Sequence, residues 1–184
     1  MSRDDVLYRL FLKGDTASYD QLMLRYGDSL TFYLYGYLHD WQDAEDLMID
    51  AFARIMVKKP AIRVDGFKAY LFKTARNLAS RFHARKSRVQ IFGFDDLGEE
   101  TADQLFLEEG ILNEERRRIV HFCLERIDPQ LREALWLVYI EGLRYADAAA
   151  VMKVNTKKID HLLQKGKEHL REELAKEGVI HAYD

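Results

Sequence analysis

The sequence predicts an all-α protein of two small helical domains joined by an acidic linker, the second with a helix-turn-helix. Apolar residues recur at spacings of three and four over long stretches, and the strict alternation typical of half-buried strands is nearly absent. Only Pro60 and Pro129 interrupt the 184 residues, of which 48% are hydrophobic. Such a composition supplies enough apolar surface for packed cores, so the chain is expected to fold.

Charge is distributed unevenly along the chain, although the net charge is only -3. Residues 57–90 carry ten basic and one acidic side chain, residues 91–115 carry nine acidic ones and no Lys or Arg, and residues 153–171 carry six basic and two acidic. A basic block is the footprint expected of a phosphate-binding surface. The exposed face of a helix without any ligand can carry the same charges, so both interpretations stay open.

The acidic stretch lacks helical periodicity and contains glycines, which is typical of a linker. We therefore predict an N-terminal domain at 1–90, a linker at 91–113 and a C-terminal domain at 114–184. The expectation is that the two basic blocks belong to different domains.

Two helices open the N-terminal domain. A first helix is predicted over about residues 3–13 and ends at Gly14, and Asp15 or Thr16 is placed to cap the second. Large apolar residues follow in the second helix at helical spacing: Tyr19, Leu22, Met23, Tyr26, Leu30, Tyr33, Leu34 and Tyr37. This stripe predicts the side that faces the core.

A third helix, for which Asp40 is a suitable N-cap, has two different sides. Its apolar residues follow the i, i+3, i+4, i+7 rule: Ala44, Leu47, Met48, Ala51, Phe52 and Ile55. Another side holds Asp43, Asp46, Asp50 and Arg54. Carboxylates at this spacing could bind a metal, as in a phosphohydrolase, but the neighbouring His39 has no second histidine before His83. We favour a docking surface for a basic partner and expect no metal.

The segment after Pro60 interleaves aromatic and basic residues. Its buried stripe is predicted at Phe67, Leu71, Thr74, Ala75, Leu78 and Phe82. Residues predicted to contact single-stranded DNA are Lys68, Tyr70, Phe72, Lys73, Arg76, Asn77, Arg81, Arg85, Lys86 and Arg88. Aromatic rings stack on unpaired bases while cations neutralise phosphates, and an Asn amide can read a base edge. Tyr70 and Phe72 could instead complete the core.

The C-terminal domain is also predicted to be helical. One helix covers about residues 114–126, and Asp128-Pro129 begins another. The buried side of that helix is expected at Leu131, Ala134, Leu135, Val138 and Tyr139, before Gly142 ends it. A short helix at 145–152, a turn at 153–154 and a basic helix capped by Asn155 then make a helix-turn-helix. Helical hairpins without function share this arrangement, so DNA binding is one of two interpretations.

Both halves contain motifs of one family. Asp43-Ala44-Glu45-Asp46-Leu47, Ala51-Phe52, Tyr70-Leu71-Phe72 and Ala75-Arg76-Asn77-Leu78-Ala79 resemble region 2 of extracytoplasmic-function (ECF) sigma factors. Leu135, Tyr139, Glu141-Gly142-Leu143, Tyr145, Ala149 and Ile159 resemble region 4. The resemblance implies an alternative sigma factor that directs RNA polymerase to specific promoters and assists promoter melting, with no catalytic activity or cofactor of its own.

The resemblance also implies roles for residues. The third helix would dock on the β′ clamp helices of core RNA polymerase through Asp43, Asp46, Leu47, Asp50 and Arg54. The basic helix with Asn77 would capture an unstacked base of the minus-ten element. The last helix would enter the major groove at the minus-thirty-five element through Asn155, Lys157, Lys158, Asp160, His161, Gln164 and Lys165. Departures from the family pattern are Ile49, Tyr70, Arg81, Lys153, Ala148 and Asp160.

The expected partners are core RNA polymerase, including its β flap, promoter DNA and an anti-sigma factor. The single cysteine, Cys123, is expected in the core and fits a reducing compartment. No stretch of about eighteen apolar residues occurs, so we expect no membrane insertion and a cytoplasmic protein. The alternatives are a stand-alone helix-turn-helix regulator that binds duplex DNA without polymerase and, more remotely, the metal phosphohydrolase.

Overall fold

The computed structural model describes residues 3–90 and 111–178, with side chains at 3–86 and 118–178. Eight α-helices lie in these ranges: α1 (Arg3–Leu12), α2 (Thr16–Leu38), α3 (Trp41–Lys58), α4 (Phe67–Gln90), α5 (Ile111–Glu125), α6 (Pro129–Leu135), α7 (Tyr145–Met152) and α8 (Thr156–Lys176). The described residues contain no strand, which confirms the all-α fold class. The described residues divide into two compact units, and helices α1 to α4 belong to the first.

In the first unit, α2 packs against α1, α3 and α4. The predicted stripe of α2 is the centre of this core, because Tyr19, Leu22, Leu30 and Leu34 are all buried. The Tyr19 hydroxyl donates to the carbonyl oxygen of Phe52 in α3 over 2.6 Å. The aromatic stripe is therefore scaffold, as its spacing predicted.

Helix ends in this unit are set by local hydrogen bonds. The Asp15 carboxylate accepts from the Ser18 N–H at 3.4 Å, and the Asp40 carboxylate accepts from the Asp43 N–H at 2.8 Å. Both predicted N-caps are confirmed. The left-handed His39, with φ of 52°, ends α2 one residue before Asp40, so the acidic α3 starts directly after α2 turns.

The loop between α3 and α4 is fastened to α1. The Tyr8 hydroxyl donates to the Pro60 carbonyl at 2.8 Å, and both carboxylate oxygens of Asp5 accept from the Asp65 N–H at 3.0 Å. The Lys59 ammonium lies 5.3 Å from the centre of the Phe11 ring. Three residues of α1 thus fix the loop that leads into the basic helix α4.

The second unit is organised around α8, which packs on α6 and α5. Gly166 allows α8 to approach α6 closely, since a Cβ there would lie 3.1 Å from the Leu135 side chain. Asp128 caps α6 by accepting from the Gln130 N–H at 2.9 Å, and Pro129 occupies its first turn, as predicted. Cys123 is buried in α5, which confirms its assignment to the core.

A π-helical turn at Trp136–Ile140 follows α6 and changes which residues are buried. Trp136 and Leu137 are buried, but Tyr139 is 53% exposed. The prediction that Tyr139 lines the buried side was therefore wrong. The prediction assumed 3.6 residues per turn, whereas the i to i+5 bond from the Glu141 N–H to the Trp136 carbonyl widens this turn and shifts the register.

The helix-turn-helix elements lie at the predicted positions. The short helix α7 ends at Met152, Lys153 adopts a left-handed φ of 58°, and the Asn155 side chain caps α8 by accepting from the Lys158 N–H at 2.8 Å. The residue at the turn is thus held in a conformation that a glycine adopts more readily. Most of the predicted linker lies outside the described residues, and the predicted domain boundaries stay a prediction.

Candidate nucleic-acid interface

The basic helix α4 presents cations on the side opposite its core contacts. Lys73, Arg81 and Arg85 are exposed, and Arg76 and Lys86 are partly exposed. Lys68 lies over the Tyr26 ring, with its ammonium 5.2 Å from the ring centre. Arg88 belongs to α4, but its side chain lies outside the described residues. The exposed side of α4 therefore carries the positive potential that its sequence predicted.

Phe72 is not on this exposed side, so its prediction as a DNA-stacking residue was wrong. Its side chain is fully buried, and its ring centre lies 5.1 Å from that of Tyr33 in α2. The buried stripe of α4 is wider than the sequence pattern indicated, because Phe72 and Ala79 extend it beside Leu71 and Ala75. Tyr70, in contrast, is partly exposed, so its ring is available to a ligand.

A pocket of about 170 Å³ lies between α3 and α4. The buried side chains of Ile55 and Leu78 contribute to its lining, together with Tyr70, Thr74 and Asn77. Three cations complete the lining: Arg54 and Lys58 from α3, and Arg81 from α4. The structure thus brings together Tyr70, Asn77 and Arg81, which were predicted for DNA, with Arg54, which was predicted for docking.

Lys58 was missing from the residues predicted from the sequence. It ends α3 within the same basic block as α4, which was the available signal. Only the packing of α3 against α4 brings it to the pocket. The pocket is therefore a product of tertiary structure, and both apolar and positively charged side chains line it.

The acidic side of α3 is partly paired with the cations just described. Asp50 accepts from the Arg54 Nε at 3.3 Å, and the Asp43 carboxylate lies 3.8 Å from the Lys86 ammonium of α4. Asp46 is exposed and accepts from the Gln42 amide at 3.4 Å, and Leu47 is partly exposed. This side of α3, defined by Asp43, Asp46, Leu47 and Asp50, is called the docking face below.

Exposed apolar side chains accompany these acids. Ile49 and Met56, seven residues apart, are 53% and 41% exposed. Seven residues is two helical turns, so the two lie on one side of α3. Apolar side chains among exposed acids are typical of a surface that a partner covers. In the sequence analysis, Ile49 was noted only as a departure from the family pattern.

In the second unit, α8 separates buried from exposed residues cleanly. Ile159, Leu162 and Leu163 are buried. All the residues predicted to contact duplex DNA are exposed: Asn155, Lys157, Lys158, Asp160, His161, Gln164 and Lys165. The Asp160 carboxylate accepts from the Gln164 amide at 3.4 Å, so a negative charge sits among the predicted base readers.

Tyr139 and Lys167 form a second feature that sequence reasoning missed. The Lys167 ammonium lies 4.9 Å from the centre of the exposed Tyr139 ring. Its hydrogen bond with Tyr139 raises the pKa of the Lys167 ammonium, so this cation stays protonated on the surface of α8. The π-helical turn, which has no simple sequence signature, is what exposes Tyr139 to it.

Two sequence families match the two units in order. Residues 22–89 match the family described as Sigma-70 region 2, and residues 117–170 match Sigma-70, region 4, together more than half of the chain. The chain belongs to the ECF type of RNA polymerase sigma factors. It directs RNA polymerase to promoters, and its partners are core RNA polymerase and promoter DNA.

Relatives cover most of this sigma factor. The RNA polymerase sigma-H factor of Pseudomonas aeruginosa is 27% identical over 82% of the chain and 83% of its own length. The ECF RNA polymerase sigma-E factor of Escherichia coli K12 is 27% identical over 81% of the chain and 82% of its own length. The solved structure of the sigma factor RpoE with the anti-sigma factor NepR from Bartonella quintana matches with a TM-score of 0.64 at 23% identity. It covers 85% of this chain and 96% of that one, and at this identity it shows the shared fold.

Within 3–90 and 111–178, no group of three or more His, Cys, Asp or Glu side chains is arranged to hold a metal ion. The same ranges contain no helix that is long and apolar enough to cross a membrane. The family is one of transcription initiation factors, and the two alternatives from the sequence are not favoured.

Proposed function

We propose that this sigma factor melts promoter DNA by holding one unpaired base of the minus-ten element in the α3–α4 pocket. The pocket is the observation that supports this. Tyr70 offers a ring for stacking, Asn77 offers an amide to a base edge, and the buried side chains of Ile55 and Leu78 offer apolar contact. Four cations of α4 outside the pocket lining bind the adjoining phosphates: Lys73, Arg76, Arg85 and Lys86.

The docking face of α3 binds the polymerase in this proposal. Its acids complement a basic partner, and Leu47 and Ile49 add apolar contacts beside them. The partner is the β′ clamp helices, as the resemblance to region 2 implies. Arg54 links the pocket to this face, because its side chain lines the pocket and pairs with Asp50 of the docking face.

We propose that α8 binds the minus-thirty-five element in the major groove. Lys157 and Lys158 hold phosphates near its first turn, and His161, Gln164 and Lys165 face bases. Residues 1–90 then form the region 2 domain and residues 114–184 the region 4 domain, which also contacts the β flap. Residues 91–113 connect the two.

An anti-sigma factor is a further proposed partner. The Bartonella relative is described in complex with one, and its fold is shared by this chain. Sigma factors work on polymerase, so we place the protein in the cytoplasm. The chemistry of RNA synthesis belongs to the polymerase in this account, and the sigma factor itself catalyses no reaction.

Run-off transcription tests the proposal. Core RNA polymerase from the same bacterium, mixed with the full chain and fragments of its genome, should start RNA at defined sites that core alone ignores. A gel shift of the same promoter should be weak with the free chain and strong after core is added. Tight duplex binding without core would instead indicate a stand-alone regulator.

Base capture is tested by Asn77→Ala. This variant should bind core polymerase like the wild type but should leave promoter thymines much less reactive to permanganate, because the pocket loses its amide. Unchanged reactivity would show that Asn77 does not hold a base.

A further inference from the structure

The α3–α4 pocket is lined by several strong hydrogen-bond donors. Arg54, Lys58 and Arg81 line it with donor groups, and the described residues that line it include no carboxylate. Lys and Arg side chains donate and never accept. The Arg54 Nε donates to Asp50, so the terminal amino groups of its guanidinium remain for a ligand. The pocket therefore matches a ligand edge that presents acceptors.

The remaining polar groups complement those donors. The Thr74 hydroxyl donates to the Tyr70 carbonyl at 2.8 Å, which leaves its lone pairs as acceptors. The Asn77 amide can present its oxygen, since an amide carries both an acceptor and donors. A ligand edge with a carbonyl oxygen beside an N–H would satisfy both kinds of group at once.

Among the four bases, thymine and guanine have such an edge. Thymine carries the carbonyl oxygen O4 beside its ring N–H, and guanine carries O6 beside its ring N–H, where cytosine and adenine carry an amino group. Cytosine also has a carbonyl oxygen, O2, but no ring N–H beside it. A carbonyl oxygen would accept charge-assisted hydrogen bonds from the cations, whereas an amino group would point its hydrogens at them. A bound base would cover these donors, and a covered donor without an acceptor costs free energy, so the amino bases are penalised as well as less well bound.

We propose that this pocket selects a keto base, thymine or guanine, over adenine and cytosine at the captured position of the promoter. Arg81 and Lys58 donate to the carbonyl oxygen, and Asn77 accepts from the neighbouring ring N–H. This inference rests on the proposed capture of a base.

The cations of the pocket have one competing role, which is to bind phosphates next to the base. The two roles differ in their consequences. A residue that contacts phosphate strengthens binding to every sequence and adds to the salt dependence, whereas a residue that reads a base changes the preference at one position. Variants of the pocket cations therefore distinguish phosphate binding from base recognition.

The experiment uses the full chain with core RNA polymerase and a promoter found by run-off transcription. Each base is placed in turn at every minus-ten position, and the yield of open complex is measured. The captured position is the one at which Asn77→Ala reduces the base preference. We expect thymine or guanine to be favoured there by about fivefold or more, the lower end for one good bidentate contact.

Arg81→Gln and Lys58→Gln are then tested singly and together. The double variant should lose most of the preference at the captured position. Arg85→Gln is the matched control, since Arg85 is an exposed cation of α4 outside the pocket lining. This variant should lower the affinity equally for the four promoters that differ in the base at the captured position. It should also reduce the slope of log affinity against log salt by about 0.7.

Two results would overturn the inference: a preference for adenine or cytosine at that position, or an equal loss on all four bases in the double variant. A wild-type chain that starts no RNA at any site would refute the proposed function instead. A wild-type chain that starts RNA normally without a keto preference would refute this inference alone. Far-UV circular dichroism checks that the variants remain folded.

Discussion

Two acids of the docking face are paired with cations of the DNA-binding side. Asp50 holds Arg54, and Asp43 lies 3.8 Å from Lys86. If these acids restrain the cations in the free protein, then removing both acids should raise its affinity for single-stranded DNA. We therefore predict that the double variant Asp43→Asn, Asp50→Asn binds a minus-ten single strand more tightly than the wild type does.

The expected gain is modest because both pairs are partly exposed to solvent. One pair has i,i+4 helical spacing and the other is long, so each should contribute about 0.2–0.5 kcal/mol, and the loss of both should raise the affinity by about two- to fivefold. The salt dependence is the more decisive quantity. Two additional phosphate contacts should steepen the slope of log affinity against log salt by about 1.4 for a single strand.

The assay is fluorescence anisotropy of a labelled strand with the free chain, at salt concentrations between about 50 and 200 mM. Asp20→Asn, Asp46→Asn is the matched control, because it removes two exposed acids that are paired with neither cation. If the two double variants gain equal affinity with equal slopes, the gain comes from the change in net charge alone. The ion pairs then do not restrain Arg54 or Lys86.

Three further predictions concern docking and stability. Asp46→Lys with Asp50→Lys should weaken binding to core polymerase in a pull-down, since it reverses the charge of the docking face, whereas Asp20→Lys on α2 should not. Lys153→Gly should raise the free energy of unfolding by about 0.5–1 kcal/mol in denaturant, because glycine adopts φ of 58° more readily; a lower midpoint would contradict this. Burial, and then the neighbouring Tyr70, raise the pKa of Tyr8 from 10.0 to about 12. The contribution of Tyr8 to the free energy of unfolding is therefore full below about pH 10 and is lost between about pH 10 and 12. Between pH 9 and 11, the free energy of unfolding of Tyr8→Phe should fall by on the order of 1 kcal/mol less than that of the wild type.

The helices and their ends were predictable because they depend on local sequence. Asp15, Asp40, Asp128 and Asn155 each cap a helix by accepting from an N–H two or three residues ahead. Such contacts need no knowledge of the rest of the chain. The exposed side of α8 was equally predictable, because the apolar residues of this helix recur at helical spacing.

The errors arose where the side of a helix depends on its neighbours. The width of the buried stripe on α4 is set by its contact with Tyr33, so the sequence could not decide whether Phe72 is core or surface. Tyr139 was misplaced because the π-helical turn changes the period locally. The pocket joins Arg54 to Asn77 through the packing of α3 on α4, which residue spacing within either helix does not reveal.

The hydrogen bonds between α1 and the α3–α4 loop affect how the chain folds during synthesis on the ribosome. Tyr8 and Asp5 find their partners 52 and 60 residues later in the chain. At ribosomal rates of about 5–20 residues per second, the Tyr8 hydroxyl and the Asp5 carboxylate are synthesised roughly 3–12 s before those partners. The family match starts at residue 22, yet a polypeptide trimmed to that point would leave the ribosome without the residues that anchor its own loop.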